Sequence, residues 1–244
     1  FPKMYALLGG LGKEYKMLYE NSMATAVKHT LYKPMTVHSA DILMSGMVVV
    51  DEKTGVAALD PSGQHLVCFA GGMFALGGRL FNRKDHLEIG RKLTDGCIFA
   101  YKESRFGMMP EVFHMHPCGT KMSDNCAWDE KVWKEAVLAR AGDENSPQQL
   151  SKIREGFTDV SDGRYILRPE AIESVFILYR ITGDKRFQEA AWDMWLAIDK
   201  YTRTPLANAA LLDVTVTDDA PQKMDSMEVS LPFPLFTWLL LIRC

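Results

Sequence analysis

The sequence predicts an all-α fold, a toroid of helical hairpins whose inner helices are buried, with a small β-hairpin inserted between helices. Three observations predict it. Residues 168–201 read as two apolar-striped helices separated by a turn of a few residues. Residues 65–80, HLVCFAGGMFALGGRL, are nearly all apolar, and Ala70, Gly71, Gly72, Gly77 and Gly78 let another backbone approach closely. A helix apolar on every side belongs inside a ring of others. Finally, the Met- and Val-rich run Ile42 to Val50, the turn Asp51 to Gly55, the run Val56 to Leu59 and the turn Asp60 to Gly63 read as strand, turn, strand, turn.

In chain order, an apolar periodic stretch (Met4, Leu7, Leu8, Leu11) comes first, as though cut from inside a larger domain. Met17 to Leu31 repeats apolar residues at helical spacing and stops at Lys33-Pro34. After the β-hairpin, the glycine-rich run predicts a buried helix opened by His65, although each glycine costs about 1 kcal/mol against alanine. Asp85 is expected to cap the next helix, through Leu87, Ile89 and Leu93 to Tyr101. Residues 107–161 read as a long irregular stretch, broken by an amphipathic piece from Trp128 to Arg140 and the polar patch Gly142 to Gln149. A connection this long is usually functional or an insertion. Pro169 suits the first turn of a helix, with Ile172, Val175, Phe176 and Tyr179 on its buried face. Gly183 closes that helix and Asp184 caps its partner, whose apolar stripe is Phe187, Ala190, Ala191, Met194, Trp195 and Ile198.

Composition narrows the function. With 244 residues, 47% of them hydrophobic, the chain can bury a large core and is not disordered. Its formal charge of -3 is spread without a basic stripe, which argues against a nucleic-acid partner. No run approaches the ~20 apolar residues of a transmembrane helix, and Phe1 to Met4 lack the charged and apolar regions of a signal peptide. Five cysteines (Cys68, Cys97, Cys118, Cys126, Cys244) allow one or two bridges in an oxidising compartment, and their count alone does not choose the compartment. No glycine-rich phosphate loop, HExxH or GxSxG motif is present, so nucleotide, metalloprotease and serine-hydrolase chemistries lose their usual support.

Chemistry concentrates at Arg168-Pro169-Glu170-Ala171-Ile172-Glu173. Spacing of three sets Glu170 and Glu173 on one face of a helix's first turn, where the dipole and free N–H groups favour carboxylates. An acidic helix start is by itself commonplace. Two carboxylates and an arginine at the mouth of a buried helix, however, are costly unless they bind something. Paired carboxylates are the machinery of glycoside hydrolysis, one acting as acid and one as base. His65 reads either as a satisfied core residue or as a pocket residue at a helix mouth. His114, His116, Cys118 and Cys126 match no strong zinc spacing, and a Cys118–Cys126 bridge is the plainer reading.

These residues carry a family resemblance. RYILRPEAIESVFILYRITGDKRFQEAAWDMW (Arg164 to Trp195) resembles the signature helical hairpin of glycoside hydrolase family 47, the class I α-1,2-mannosidases, and so does HLVCFAGGMFALGGRL. ADILMSG (Ala40 to Gly46), LTDGC (Leu93 to Cys97), MPEVF (Met109 to Phe113) and MDSME (Met224 to Glu228) fall in the family's order and roughly its spacing. CFAGGM is closer to the fungal and Golgi branches than to the endoplasmic-reticulum branch.

The resemblance implies an (α/α)7 barrel, here its C-terminal part over residues 1–228, and inverting hydrolysis of terminal α-1,2-linked mannose from high-mannose N-glycans or glycoproteins. It implies Glu170 as catalytic base, Arg168, Glu173, His65 and Glu111 as substrate-binding pocket residues, and a disulfide between Cys68 and Cys97. It also implies a Ca2+ ion at the barrel floor and a place in the secretory pathway, Golgi or endoplasmic reticulum, or secretion. The family's general acid and a further catalytic carboxylate are expected upstream of Phe1. After Glu228 the sequence departs from the family: VSLPFPLFTWLLLIRC (229–244) carries Pro232 and Pro234, which would break the expected helix, and lacks the calcium-binding threonine. No metal ligand is therefore assigned, and this fragment is expected to be inactive by itself. Val229-Ser230 can be encoded by an intron donor sequence, so read-through of an intron is the expected origin of this aberrant tail. A catalytically silent mannose-glycan-binding protein of glycoprotein quality control is the alternative.

Overall fold

The computed structural model describes residues 1–119, 126–141, 150 and 153–227. The polar patch 142–149, Glu228 of the MDSME motif, the 229–244 segment and Cys244 lie outside the described residues. The elements, in order, are α1 (Pro2–Leu7), α2 (Lys13–His29), β1 (Leu31–Tyr32), β2 (Met44–Ser45), β3 (Met47–Val50), β4 (Ala57–Asp60) and β5 (Ser62–Gln64). A 3-10 turn (Leu66–Cys68) leads into α3 (Phe69–Leu80), followed by α4 (Lys84–Glu103), β6 (Val112–His114), α5 (Glu130–Ala141) and β7 (Asp159–Asp162). The last hairpin is α6 (Glu170–Thr182) and α7 (Lys185–Thr202).

Two helical hairpins form the frame. α3 and α6 pack against each other, α4 covers α3, and α7 covers α6. The glycines of α3 and α4 make the first hairpin possible: a Cβ on Gly90 would stand 2.6 Å from the Ala75 amide nitrogen, and one on Gly78 2.6 Å from that of Leu87. Either would force the backbones apart. α3 meets α6 through Ser174, whose hydroxyl donates to the Cys68 carbonyl at 2.6 Å and accepts from the Gly72 N–H at 2.9 Å. A bridge from Cys68 to Cys97, with 6.0 Å between the Cα atoms, ties the start of α3 to α4. α6 buries Ala171, Ile172 and the whole run Ser174 to Leu178, as an inner helix should.

The second hairpin turns where expected. Gly183 has φ of 70°, a left-handed conformation natural to glycine, and its N–H bonds the Tyr179 carbonyl at 2.8 Å. The Asp184 side chain then caps α7 by accepting from the Arg186 N–H at 3.0 Å. At α4 the expectation fails. Arg83 occupies the N-cap position, and Asp85 sits inside the first turn, its carboxylate paired with Arg83 at 2.6 Å. The carboxylate engages this exposed charge pair from within the first turn, where it is past the cap position. Pro169 likewise takes the cap position itself, one residue before the helix. α2 starts at Lys13, earlier than the apolar periodicity suggests, and Leu31 leaves it to join β1.

The small sheets place loops. β3 and β4 form the expected antiparallel hairpin, from Met47 opposite Asp60 to Val50 opposite Ala57. The predicted first strand is split, however, because Met44–Ser45 pairs with β1, and the expected second turn gives way to β4 at Asp60 and β5 from Ser62. The stretch 107–161 is more ordered than its sequence suggests. Besides α5 it contributes β6 and most of β7 to an antiparallel three-stranded sheet with β5. That sheet carries the residues flanking Glu111.

Candidate active site

Glu111 lies immediately before β6, its backbone N–H bonded to the Arg164 carbonyl at 2.9 Å. On the far side of that bond, Tyr165 pairs its backbone with Leu211 at 3.1 and 2.8 Å. Leu167 then takes a φ of 64°, uncommon for a residue with a branched side chain, and the chain turns into α6. This kink delivers Arg168 and Glu170 to the helix mouth. His65 stands at the corresponding mouth of the 3-10 turn before α3, fully buried.

The charges are arranged with some unexpected pairings. Arg168 Nε donates to Glu111 Oε1 at 2.5 Å, so the arginine anchors Glu111 instead of standing chiefly beside Glu170. Glu111 is 8% exposed, and burial pushes its carboxyl above the ordinary glutamate range although Arg168 pulls it back. Glu173 accepts from Lys3 Nζ at 2.8 Å, an ion pair between α6 and α1 that the sequence does not suggest. Lys3 also lies 4.9 Å over the Phe69 ring. The Oε2 atoms of Glu111 and Glu170 are both buried and have no hydrogen-bond partner among the described residues.

His65 Nε2 faces the Met109 carbonyl at 2.8 Å. Burial, helped by Arg168, pulls its imidazole down to about 4 against the Met109 bond, so the ring is neutral at physiological pH. Its single N–H therefore donates to Met109, and the unpartnered Nδ1 is a lone-pair acceptor. His65, Glu111, Arg168 and Glu170 thus gather at the mouths of the two inner helices. Two residues the sequence reading left unassigned join them. Tyr101, from α4, and Tyr165 meet the His65 ring edge-on, at 5.5 and 5.4 Å between centroids. Tyr165 stands three residues before Arg168 in the recognised segment, which is the signal that could have found it.

The histidine–cysteine cluster resolves without a zinc site. Cys118 is bridged to Cys126. His114 faces Asp60 at 3.4 Å on one side and the Ser161 hydroxyl at 3.1 Å on the other, while Arg140 reaches Asp60 at 3.3 Å. A cavity of about 170 Å³ bordered by Arg105, Pro110, Phe157 and Thr215 lies apart from the site, and none of the expected site residues lines it.

Buried carboxylate oxygens of Glu111 and Glu170, at the mouths of packed helical hairpins, are the kind of group that glycoside hydrolysis uses. The chain belongs to glycosyl hydrolase family 47, whose model matches residues 1–231. It is 38% identical over 161 residues to the protein described as "Probable mannosyl-oligosaccharide alpha-1,2-mannosidase 1B" of Neosartorya fischeri, a match over 66% of this chain and 28% of that one. It is 30% identical over 226 residues to the mannosyl-oligosaccharide alpha-1,2-mannosidase of Coccidioides posadasii, covering 93% of this chain and 37% of that protein. Among solved structures it is similar to the alpha-1,2-mannosidase from Trichoderma reesei, with a TM-score of 0.74 and 25% identity over 99% of this chain and 44% of that one. The helical-hairpin fold is thus that of an α-1,2-mannosidase barrel. The chain spans less than half the length of each of these relatives.

Proposed function

We propose that the protein carrying this chain is an inverting exo-α-1,2-mannosidase that removes terminal α-1,2-linked mannose from high-mannose N-glycans or glycoproteins, with Glu170 as its general base. One observation carries this reading: in a chain of this family, Glu170 opens an inner helix with a buried carboxylate oxygen that no described residue satisfies. Glu170 accepts a proton from water as the water oxygen attacks the anomeric carbon. The glycosidic bond breaks on the opposite face, and the acid donates its proton to the departing oxygen. The resemblance puts that acid upstream of Phe1, about 6.5–9.5 Å from the base, leaving room for the water. Arg168 and Glu111 fix one wall of the pocket, and His65 presents an acceptor beside them.

Calcium is the cofactor the family implies, and the described residues do not complete a site for it. Ca2+ takes about six to eight oxygens. No group of three or more His, Cys, Asp or Glu suited to a metal occurs among the described residues. No step is therefore assigned to the ion. The Cys68–Cys97 bridge supports an oxidising compartment, and with the family it supports a place in the secretory pathway or outside the cell.

The test is Glu170→Gln in the full-length protein, assayed on mannose-α-1,2-mannose. Turnover should fall by about 10²–10⁴, with much less effect on binding, since the amide keeps the shape but accepts no proton. A variant within a few fold of the parent would put the base elsewhere. Binding of the disaccharide without turnover by the parent would instead favour a silent mannose-glycan-binding protein.

A further inference from the structure

Lys3 reaches the starts of both inner helices, and the hydrolysis proposed above gives it no role. Its Nζ donates to Glu173 Oε1 at 2.8 Å, in the first turn of α6, and lies 4.9 Å over the ring of Phe69, the first residue of α3. The neighbouring residues join the same two helix starts, since the Ser174 hydroxyl donates to the Cys68 carbonyl at 2.6 Å. Lys3 therefore bridges that seam from α1.

An ion pair on an open surface is commonplace and worth little. Three observations set this one apart. The Glu173 side chain is 18% exposed, so its carboxylate is mostly withdrawn from water. Lys3, although 59% exposed, is held at two points, an anion and an aromatic face, which limits the freedom a long side chain ordinarily keeps. The cations are also divided by role. Glu111 has Arg168 and Glu173 has Lys3, whereas Glu170, the proposed base, has no ion pair among the described residues. A base must stay free to take a proton, and a carboxylate that only holds sugar hydroxyls gains from being fixed. Lys3 occupies one oxygen of Glu173, and no described residue bonds the other.

We propose that Lys3 is a positioning residue for Glu173: the ammonium holds Oε1 so that Oε2 is aimed at a hydroxyl of the terminal mannose. This rests on Glu173 lining the mannose pocket proposed above. Lys3 acts through Glu173 and away from the base, so its loss weakens sugar binding and leaves the chemical step alone.

The experiment is steady-state kinetics on mannose-α-1,2-mannose with the full-length protein. It compares the parent with Lys3→Met, Lys3→Arg, Glu173→Ala and the variant carrying both Lys3→Met and Glu173→Ala, each with a melting curve. Lys3→Met keeps the stem and removes the charge. It should raise KM by about 2- to 5-fold, the range for a part-exposed ion pair, with kcat and the melting curve unchanged. Lys3→Arg can keep both contacts and should recover most of that loss. Glu173→Ala should raise KM further, and adding Lys3→Met to it should change nothing more. Equal KM increases from Lys3→Met with and without Glu173 would mean that the lysine does not act through the carboxylate, and overturn the proposal. A parental KM in Lys3→Met where Glu173→Ala raises it also overturns the proposal, and leaves Glu173 in the pocket. A KM increase that comes with early melting and is not recovered by arginine shows a structural strut and overturns it too. A Glu173→Ala enzyme with parental KM removes Glu173 from the pocket, and the proposal falls with that reading. If Glu173→Ala does not fold, Glu173→Gln takes its place. Should the parent bind the disaccharide without turning it over, the hydrolase reading fails, and the same variants are compared by Kd from calorimetry, where Lys3 stands or falls on the same non-additive pattern.

Discussion

Replacing Cys68 and Cys97 with serine, singly and together, tests the join between the first inner helix and its cover. The two residues are 29 positions apart, so the bridge closes a loop of about that length in the unfolded chain. The loop-entropy relation for ~29 residues gives about 12 cal/mol/K, or roughly 3.6 kcal/mol at 25 °C. Both cysteines are 4% exposed, so reduction requires the packed end of α3 to open. Chemical denaturation of the full-length protein should show each single variant losing about 3–4 kcal/mol, and the double variant losing no more than either single. Either substitution alone already breaks the bond. If the two instead acted through independent packing, their losses would add to roughly twice that value. Additive losses, or a non-reduced peptide map in which both thiols are alkylated, would refute the bridge and the account of what holds α3 to α4.

Two further outcomes follow from the charges in the pocket. Because burial raises the Glu111 carboxyl above its unfolded value, its contribution to stability is present below the unfolded pKa and is lost as pH rises through the folded one. Glu111→Gln should therefore gain stability relative to the parent between about pH 4.5 and 7. Denaturation midpoints at the two pH values measure this, and a relative loss over that interval would mean that Arg168 outweighs burial. Calcium should bind this chain weakly or not at all, because the ion takes about six to eight oxygens and the threonine that the family resemblance implies as its ligand is missing from the sequence after Glu228. Micromolar affinity by titration calorimetry would reveal oxygens not recognised as ligands.

The frame was readable because local and global demands agree along the inner helices. The apolar run predicts a buried helix, and α3 buries Gly71 to Gly78 along one face while the run's ends Leu66 and Leu80 are exposed; Gly71 and Gly78 sit where its backbone meets that of α4. The Gly183–Asp184 turn obeys helix-end chemistry that needs no tertiary context. By contrast, β5, β6 and β7 have three or four residues each and pair across about fifty residues at every step, so no local periodicity announces them. The Asp85 cap failed over a helix boundary. The helix begins at Lys84, one residue before Asp85, so Asp85 lies inside the first turn and its carboxylate pairs with Arg83 instead.

The site was legible residue by residue and illegible as an assembly. Arg168, Glu170 and Glu173 announce themselves by sharing a helix start and His65 by its place at a helix mouth, whereas Glu111 stands out only through the resemblance. Nothing in the sequence shows that Arg168 would pair with Glu111, 57 residues away, or that Lys3 would reach Glu173 across 170 residues. Tyr101 is hidden because its position on α4 reads as ordinary core. Burying a polar atom without a partner costs about 1–3 kcal/mol, so folded chains avoid it. Among the described residues five such side-chain atoms are found, and four of them belong to His65, Glu111, Tyr165 and Glu170. Random imperfections of packing would scatter through a core of this size. Their concentration at the mouths of α3 and α6, beside the positive φ of Leu167, supports the proposed placement of the pocket there.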